Sequence, residues 1–294
     1  MSAKGDYYLP EPSPWPIITS VGLFLLALGF VLSINDLISG AEFSMYAGLA
    51  VIIFVSFRWF GQVIGESESG AYNNQVDTSF RMGMGWFIFS EIMFFAAFFG
   101  ALFYVRQLSV PWLAEGMTNE WLWSGFEGGW PTAGPEGAKA VAPGETPGPN
   151  QFSPMGAWGI PALNTAILLA SGVTITIAHW GLQKDNRSQL ILWLFLTVAL
   201  GLTFLGFQAY EYAHAYTELG LTLKTGVYGA TFYMLTGFHG LHVTLGTIML
   251  IVIWFRCVKG HFSPQNHFGF EAVAWYWHFV DVVWLGLFIF VYVI

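Results

Sequence analysis

The stretch RMGMGWFIFSEIMFFAAFFGALFYVR, from Arg81 to Arg106, decides the fold class because it is apolar over a membrane-spanning length. Between its two end arginines the only charged residue is Glu91. At about 1.5 Å per helical residue, the Glu91 carboxylate lies about 15 Å beyond Arg81. Since the hydrocarbon layer of a bilayer is about 30 Å thick, the sequence predicts a membrane helix with an acid near the midplane.

The composition of the whole chain agrees with a membrane protein. Of its 294 residues 55% are hydrophobic and 10% are charged, whereas soluble domains carry about 25% charged residues. The net charge of −8 indicates no nucleic-acid partner. The single cysteine, Cys257, excludes an internal disulfide and any metal site built from cysteines alone. The first residues have no signal-peptide pattern, so the first span is expected to direct insertion.

Seven stretches are long and apolar enough to cross as helices, which takes about 20 residues. They cover residues 15–35, 42–64, 80–106, 157–182, 188–214, 227–256 and 267–294. We therefore predict an all-α membrane protein with one membrane domain over 1–294. Its first two helices occupy 15–64, and the other five occupy 80–294.

The basic residues predict the orientation of the chain. If the N-terminus is cytoplasmic, seven basic residues lie on the cytoplasmic side: Lys4, Arg58, Arg81, Lys184, Arg187, Arg256 and Lys259. Three lie on the other side: Arg106, Lys139 and Lys224. This excess follows the positive-inside rule and predicts a cytoplasmic N-terminus and an external C-terminus.

One long segment, about 107–156, lies outside the spans. Between Gly125 and Pro154, 13 of 30 residues are Gly or Pro. Such a composition buries little apolar surface, so we expect a loose outer loop. Its tryptophans are candidates for anchors at the membrane surface.

Glu91 is the first candidate functional residue. An ionised carboxylate in the middle of a bilayer is costly, so the acid is either protonated or paired. A proton relay is one interpretation, and a protonated acid that hydrogen-bonds a neighbouring helix is the other. The sequence leaves both open.

Histidines and acids on the last two spans form a second set. His239 and His242 lie about one turn apart, and Glu271, His278 and Asp281 follow one another at spacings of seven and three. Hydrogen bonds between helices, worth about 1 kcal/mol each, are the favoured interpretation. Metal ligation is the alternative.

Motifs for a catalytic metal centre are incomplete. A di-iron carboxylate site needs two Glu-x-x-His pairs and two further glutamates, and the chain offers one pair, Glu211 with His214. Phosphate-binding glycine loops and nucleophile elbows are also missing from the sequence. We therefore predict no catalytic centre, no metal site and no cofactor in this chain.

The turn WFRCVKGHFSPQNHFGFE, between the sixth and seventh spans, is basic. Arg256, Lys259 and His261 are suited to the phosphate of an anionic lipid headgroup. Topology signalling alone is the other explanation.

Several of these stretches resemble subunit III of the haem-copper cytochrome c oxidases. They are PSPWP (12–16), RMGMGWFIFSEIMFF (81–95), PALNTAILLASGVTITIAHW (161–180), VYGATFY (227–233), TGFHGLHV (236–243) and HFGFEAVAWYWHFVDVVWL (267–285). The resemblance implies seven helices in groups of two and five, with phospholipid in a V-shaped cleft between them. It also implies that haem and copper belong to partner subunits I and II, and that this chain packs on subunit I.

The resemblance assigns roles to single residues. Glu91 corresponds to the intramembrane glutamate of the family. The corresponding lipid-binding residues are Trp59, Phe60, Arg256, Lys259, His261 and Phe268. The chain departs from the family at Gly65, where an arginine is usual, at Tyr72-Asn73, where a His-His pair is usual, and at Thr225, where an aspartate is common. The first two departures weaken the half of the lipid site on the second helix.

The expected function is that of a non-catalytic subunit of a proton-pumping oxidase with cytochrome c as electron donor to the complex. The composition of the long loop favours a bacterial inner membrane. The alternatives are the equivalent subunit of a quinol oxidase and an independent channel or proton carrier that uses Glu91.

Overall fold

The structure is a computed structural model that describes residues 8–142, 145–148 and 150–294. Lys4, which the predicted orientation uses, lies outside the described residues, as do Pro143, Gly144 and Pro149 of the long loop. Within the described part, seven helices are long and apolar enough to span a membrane. The predicted all-α membrane fold with seven spans is confirmed.

The long helices are α1 Trp15–Ile34, α2 Glu42–Glu68, α3 Asn74–Tyr104, α6 Ile160–Gln183, α7 Arg187–Thr217, α8 Gly226–Lys259 and α9 Phe268–Leu287. Two short helices follow α3: α4 Val110–Leu113 and α5 Gly116–Trp121. Two π-helical segments, Val105–Ser109 and Phe288–Val293, continue α3 and α9. Strands β1 Lys139–Ala140 and β2 Gln151–Phe152 form one parallel pair.

The third helix begins six residues before the start that hydropathy predicts. Asn73 accounts for this start, because its side-chain oxygen accepts hydrogen bonds from the backbone N–H of Gln75 and Val76, each at 3.0 Å. Such a cap stabilises a helix end whether or not the first turn is apolar. The polar turn NQVDTS therefore belongs to α3 although its hydropathy is that of a loop.

The chain forms two compact units, Met1–Phe80 and Arg81–Ile294. In the first unit, glycines allow α1 and α2 to pack closely. A Cβ atom on Gly29 or Gly48 would collide with the backbone of the facing helix, at Met45 and Leu26 respectively. Close approach over small residues is a common way for membrane helices to associate.

The second unit is organised around two tryptophans of α9, Trp277 and Trp284, which are fully buried. Trp277 donates its indole N–H to Ser171 Oγ of α6 at 2.8 Å. Its ring lies against Gly201 of α7 and Gly246 of α8, where a Cβ would approach the ring to 2.9 Å. Trp284 donates to Thr165 Oγ1 at 2.9 Å. The indoles of α9 thus contact α6, α7 and α8.

Part of the described long loop, around Phe152, packs on the helices, which differs from the expected loose segment. Phe152 is completely buried and stacks on Tyr228 of α8, with ring centroids 5.4 Å apart. The backbone of Ser153 hydrogen-bonds to Leu219 at 2.9 Å. Long-range contacts with the α7–α8 connection therefore order a segment whose local composition favours disorder.

Candidate functional site: polar contacts among the membrane helices

Glu91 lies near the middle of α3 and contacts a histidine of α8. The Glu91 Oε2 atom is 2.9 Å from His242 Nε2, and the two side chains are 21% and 11% exposed. Aromatic rings surround the pair: the His242 ring centroid is 4.9 Å from that of Phe95 and 6.3 Å from that of Tyr276. The acid predicted at the midplane therefore has a partner on another helix.

The hydrogen bonds of His242 determine how many protons the pair holds. Its Nδ1 lies 2.6 Å from the carbonyl oxygen of Phe238, and a carbonyl only accepts, so Nδ1 carries a hydrogen. Nε2 then either accepts from a protonated Glu91 or, in an imidazolium, donates to the carboxylate. In both forms one proton lies between Glu91 and Nε2, and the pair is neutral. Such a pair avoids the cost of an isolated charge in a bilayer.

His239, one turn earlier on α8, does not join this pair. Its Nε2 lies 3.2 Å from the carbonyl oxygen of Val280 on α9. The ring is 1% exposed and lies between Phe204 and Trp284. This geometry is an interhelical hydrogen bond within an aromatic core.

The predicted stripe of Glu271, His278 and Asp281 does not form one cluster. His278 is half exposed, and its Nδ1 is 3.9 Å from Asp281 Oδ2, which is beyond hydrogen-bond distance. Asp281 is buried against Gly172 of α6, where an added Cβ would lie 2.5 Å from Asp281 Oδ2. Spacing alone put these residues on one face, but α9 turns them towards different neighbours.

Glu271 instead belongs to a cluster that the sequence did not reveal. Its Oε2 forms a salt bridge with Arg81 of α3. Its Oε1 faces two histidine nitrogens, His179 Nε2 at 3.7 Å and His267 Nε2 at 3.5 Å. His267 and Glu271 lie four residues apart at the start of α9, a spacing that puts them on one face. That spacing is the signal that could have found the cluster.

The predicted lipid-binding residues of the second unit lie around the end of α8 and the start of α9. The Arg256 guanidinium lies over the Phe262 ring at 4.3 Å, and that of Arg81 lies 5.5 Å from the Phe268 ring centroid. Lys259 is exposed, and His261 is partly buried. The chain therefore brings basic and aromatic side chains together at this turn.

Arg187 of α7 stabilises the same turn by hydrogen-bonding to the end of α8. Its Nη2 donates to the carbonyl oxygens of Cys257 and Val258 at 3.0 and 3.1 Å. Gly260 ends α8 in the left-handed conformation, with φ of 81°. A cation on the last carbonyls of a helix compensates its negative end, so the turn is held in place before any ligand binds.

Trp59 and Phe60 lie in the first unit, on α2, and their side chains are exposed. Near them the residues that depart from the family pattern form their own contacts. The Tyr72 hydroxyl donates to Glu66 Oε2 at 2.8 Å. Burial, with Glu66 beside it, raises the pKa of the Tyr72 hydroxyl, which stays a donor. A Cβ on Gly65 would meet no described atom within 4 Å, so backbone packing does not require glycine at this position.

A model of the family described as cytochrome c oxidase subunit III matches residues 5–127 and 138–294. The chain belongs to the cytochrome c oxidase subunit III family. The stretch that the match omits falls in the Gly/Pro-rich loop. The resemblance that the sequence motifs indicated is therefore confirmed, and the chain is a multi-pass membrane subunit of an oxidoreductase complex.

Relatives named "Cytochrome c oxidase subunit 3" align along almost the whole subunit III chain. The protein of Marchantia polymorpha is 40% identical over 293 residues, which is 99% of this chain and 97% of the relative. That of Prototheca wickerhamii is 41% identical over 290 residues, 98% of this chain and 97% of the relative. That of Hippopotamus amphibius is 39% identical over 289 residues, 97% of this chain and 96% of the relative.

A second buried carboxyl, that of Glu211, lies near the C-terminal end of α7 in this subunit III chain. Glu211 is 1% exposed, and its Oε1 accepts a hydrogen bond from the Tyr292 hydroxyl at 2.6 Å. His214, its partner in the incomplete di-iron motif, instead lies 3.1 Å from Glu218. The Glu-x-x-His pair is thus divided between two environments, in agreement with the argument against a di-iron centre.

Proposed function

We propose that this chain is a non-catalytic accessory subunit of a proton-pumping cytochrome c oxidase in aerobic electron transport. The complex oxidises cytochrome c, reduces oxygen to water and moves protons outward, with haem and copper held by subunits I and II. Membership of the subunit III family over almost the whole chain carries this proposal. The bacterial inner membrane is its proposed location.

Packing on subunit I fits the surface of the long helices. Large apolar side chains stay exposed along them, including Phe57 at 82%, Trp86 at 69% and Val282 at 67%. In a membrane, such surface faces lipid or another membrane subunit. The exposed surface supports a chain that works in an assembly.

Phospholipid binding is the second part of the proposal. Arg256, Lys259, His261 and Phe268 supply positive charge and an aromatic face where α8 meets α9, which suits an anionic headgroup. Trp59 and Phe60 of α2 are the other proposed contacts. The lipid-filled, V-shaped cleft that the resemblance implies stays a prediction, as does the cytoplasmic N-terminus.

Support of proton uptake and of sustained turnover is the third part. Glu91 Oε2 and His242 Nε2 lie 2.9 Å apart on two of the membrane helices, a distance at which one proton can lie between them. Moving that proton between the two atoms creates no net charge, which suits either a relay or a fixed neutral contact. We place the relay in the oxidase and not in an independent carrier because of the family membership.

Purification from the native membrane tests the proposal. A tagged chain should carry haem and copper in fixed ratio to itself, and reduced cytochrome c should reduce those haems. Reduction by quinol but not by cytochrome c would assign the chain to a quinol oxidase. A haem-free homo-oligomer would instead support the independent carrier and contradict the proposal.

A further inference from the structure

The cluster around Glu271 is built from three elements and lies apart from the Glu91–His242 pair. His179 lies four residues before the end of α6, His267 precedes α9, and Glu271 is in the first turn of α9. One ligand atom from each lies within 4.8 Å of the other two. Two imidazole nitrogens and one carboxylate oxygen form a donor set that binds Zn²⁺ in proteins.

The separations between these atoms suit a metal better than direct hydrogen bonds. The Oε1 atom of Glu271 is 3.5 Å from His267 Nε2 and 3.7 Å from His179 Nε2, whereas good hydrogen bonds of this kind are about 2.7–3.2 Å long. Around Zn²⁺, bonds of about 2.0–2.2 Å in a tetrahedron place ligand atoms about 3.3–3.6 Å apart. The two distances from Glu271 Oε1 are already close to that spacing.

Neighbouring groups orient two of the three ligands. His267 Nδ1 lies 3.1 Å from the carbonyl oxygen of Ser263. Nδ1 therefore carries the hydrogen, and the Nε2 lone pair faces the cluster. Arg81 holds Oε2 of Glu271, which leaves Oε1 directed at the histidines. Contacts of this kind fix the tautomer and direction of metal ligands.

Two features limit the strength of the site. The positive charge of Arg81 opposes a bound cation, and Gln183 Nε2 lies 3.4 Å from His179 Nε2, so Gln183 must turn away. The three ligands are partly exposed, between 10% and 23%, so an ion can enter from the helix ends. A site with these properties exchanges its metal and differs from a closed structural zinc centre.

We infer that His179, His267 and Glu271 form a reversible site for Zn²⁺, with water in the fourth position. The inference departs from the expectation of a metal-free chain and does not depend on the proposed role in the oxidase. The two nitrogen ligands favour Zn²⁺ or a similar transition metal over Mg²⁺ and Ca²⁺, which prefer all-oxygen sites. The ion would tie the end of α6 to the start of α9.

Zinc binding to the purified, chelator-treated complex tests this site. We expect His179→Ala and His267→Ala each to remove one zinc per complex, or to weaken its binding at least about tenfold. The control is His214→Ala, which removes a histidine on α7 that pairs with Glu218. Unchanged zinc number and affinity in both cluster variants would contradict the site.

A second measurement needs no variant, so it tests the site even if the substituted chains fail to assemble. Crystals of the unaltered complex soaked in Zn²⁺ should show an anomalous-scattering peak, recorded at the zinc edge, between the three side chains. An anomalous peak at other zinc sites with none at Glu271 would overturn the inference. The two measurements also distinguish a failure of the zinc site from a failure of the oxidase assignment, since zinc can bind here whatever the electron donor is.

Discussion

Glu91 and His242 are 151 residues apart in the chain, yet Glu91 Oε2 lies 2.9 Å from His242 Nε2. The sequence indicated that the acid needs a neutral form or a partner, because a lone charge at that depth is costly. It could not identify the partner, since nothing local to α3 reports which α8 residue faces it. The same holds for Glu271, whose contacts with Arg81 and His179 cross between helices.

Replacing Glu91 with glutamine should leave assembly nearly intact. The amide of Glu91→Gln has the size of a protonated acid and can donate to His242 Nε2. The amount of assembled complex in membranes measures this, with exposed Glu115→Gln as the matched control. Complete loss of assembly in Glu91→Gln alone would show that the carboxylate is ionised and paired.

Removing the Tyr292 hydroxyl should destabilise the chain. In Tyr292→Phe the buried Glu211 Oε1 loses its donor at 2.6 Å, and an unsatisfied buried polar group costs about 1–3 kcal/mol. Thermal unfolding of the complex should therefore shift to lower temperature. The control is Tyr210→Phe. Tyr210 lies on α7, beside Glu211 in the sequence, and its side chain is 60% exposed. Equal melting of the two variants would contradict the role of this hydrogen bond.

At the scale of the elements, hydropathy located all seven membrane helices but not all of their ends. The first turn of α3 is polar and is fixed by the Asn73 cap, which a hydropathy window does not detect. The packing of the loop around Phe152 does not follow from local composition, because Phe152 stacks on Tyr228 and Ser153 hydrogen-bonds to Leu219, residues far away along the chain. Local composition carries no information about such contacts.

Two helical glycines with opposite surroundings test the packing around Trp277. Gly246→Ala should lower stability by about 1–3 kcal/mol, because its Cβ would press on the buried Trp277 ring from 2.9 Å. Gly206→Ala has open space around the new methyl and should be neutral or stabilising, by up to about 1 kcal/mol. Melting temperatures of the two variants measure the difference. A Gly246→Ala variant as stable as Gly206→Ala would contradict the packing.

The basic turn between α8 and α9 should determine how much anionic lipid the chain retains. Arg256→Ala combined with Lys259→Ala removes two positive charges beside Phe262 and the start of α9. We expect less bound anionic phospholipid by mass spectrometry and a shorter working lifetime of the oxidase. The control, Lys184→Ala with Lys224→Ala, removes the same amount of charge elsewhere in the chain. Unchanged lipid content in the Arg256→Ala, Lys259→Ala variant would refute the site.

At the scale of the whole molecule, the motif strings alone predict the family. The match over residues 5–127 and 138–294 then confirmed it. The function of the chain within a complex depends on surfaces that other residues of the chain do not cover. The exposed apolar side chains of the spans are such a surface. The proposed roles in lipid binding and in proton uptake are therefore tested on the assembled oxidase.

The accessory role is tested most directly by comparing the oxidase with and without this chain. Both forms should show the same haem spectrum and a similar initial rate of oxygen consumption. The depleted form should then lose activity after far fewer turnovers, and adding the chain back with lipid should restore the longer lifetime. Loss of a haem or copper signal on depletion, or equal lifetimes of the two forms, would contradict a non-catalytic subunit that sustains turnover.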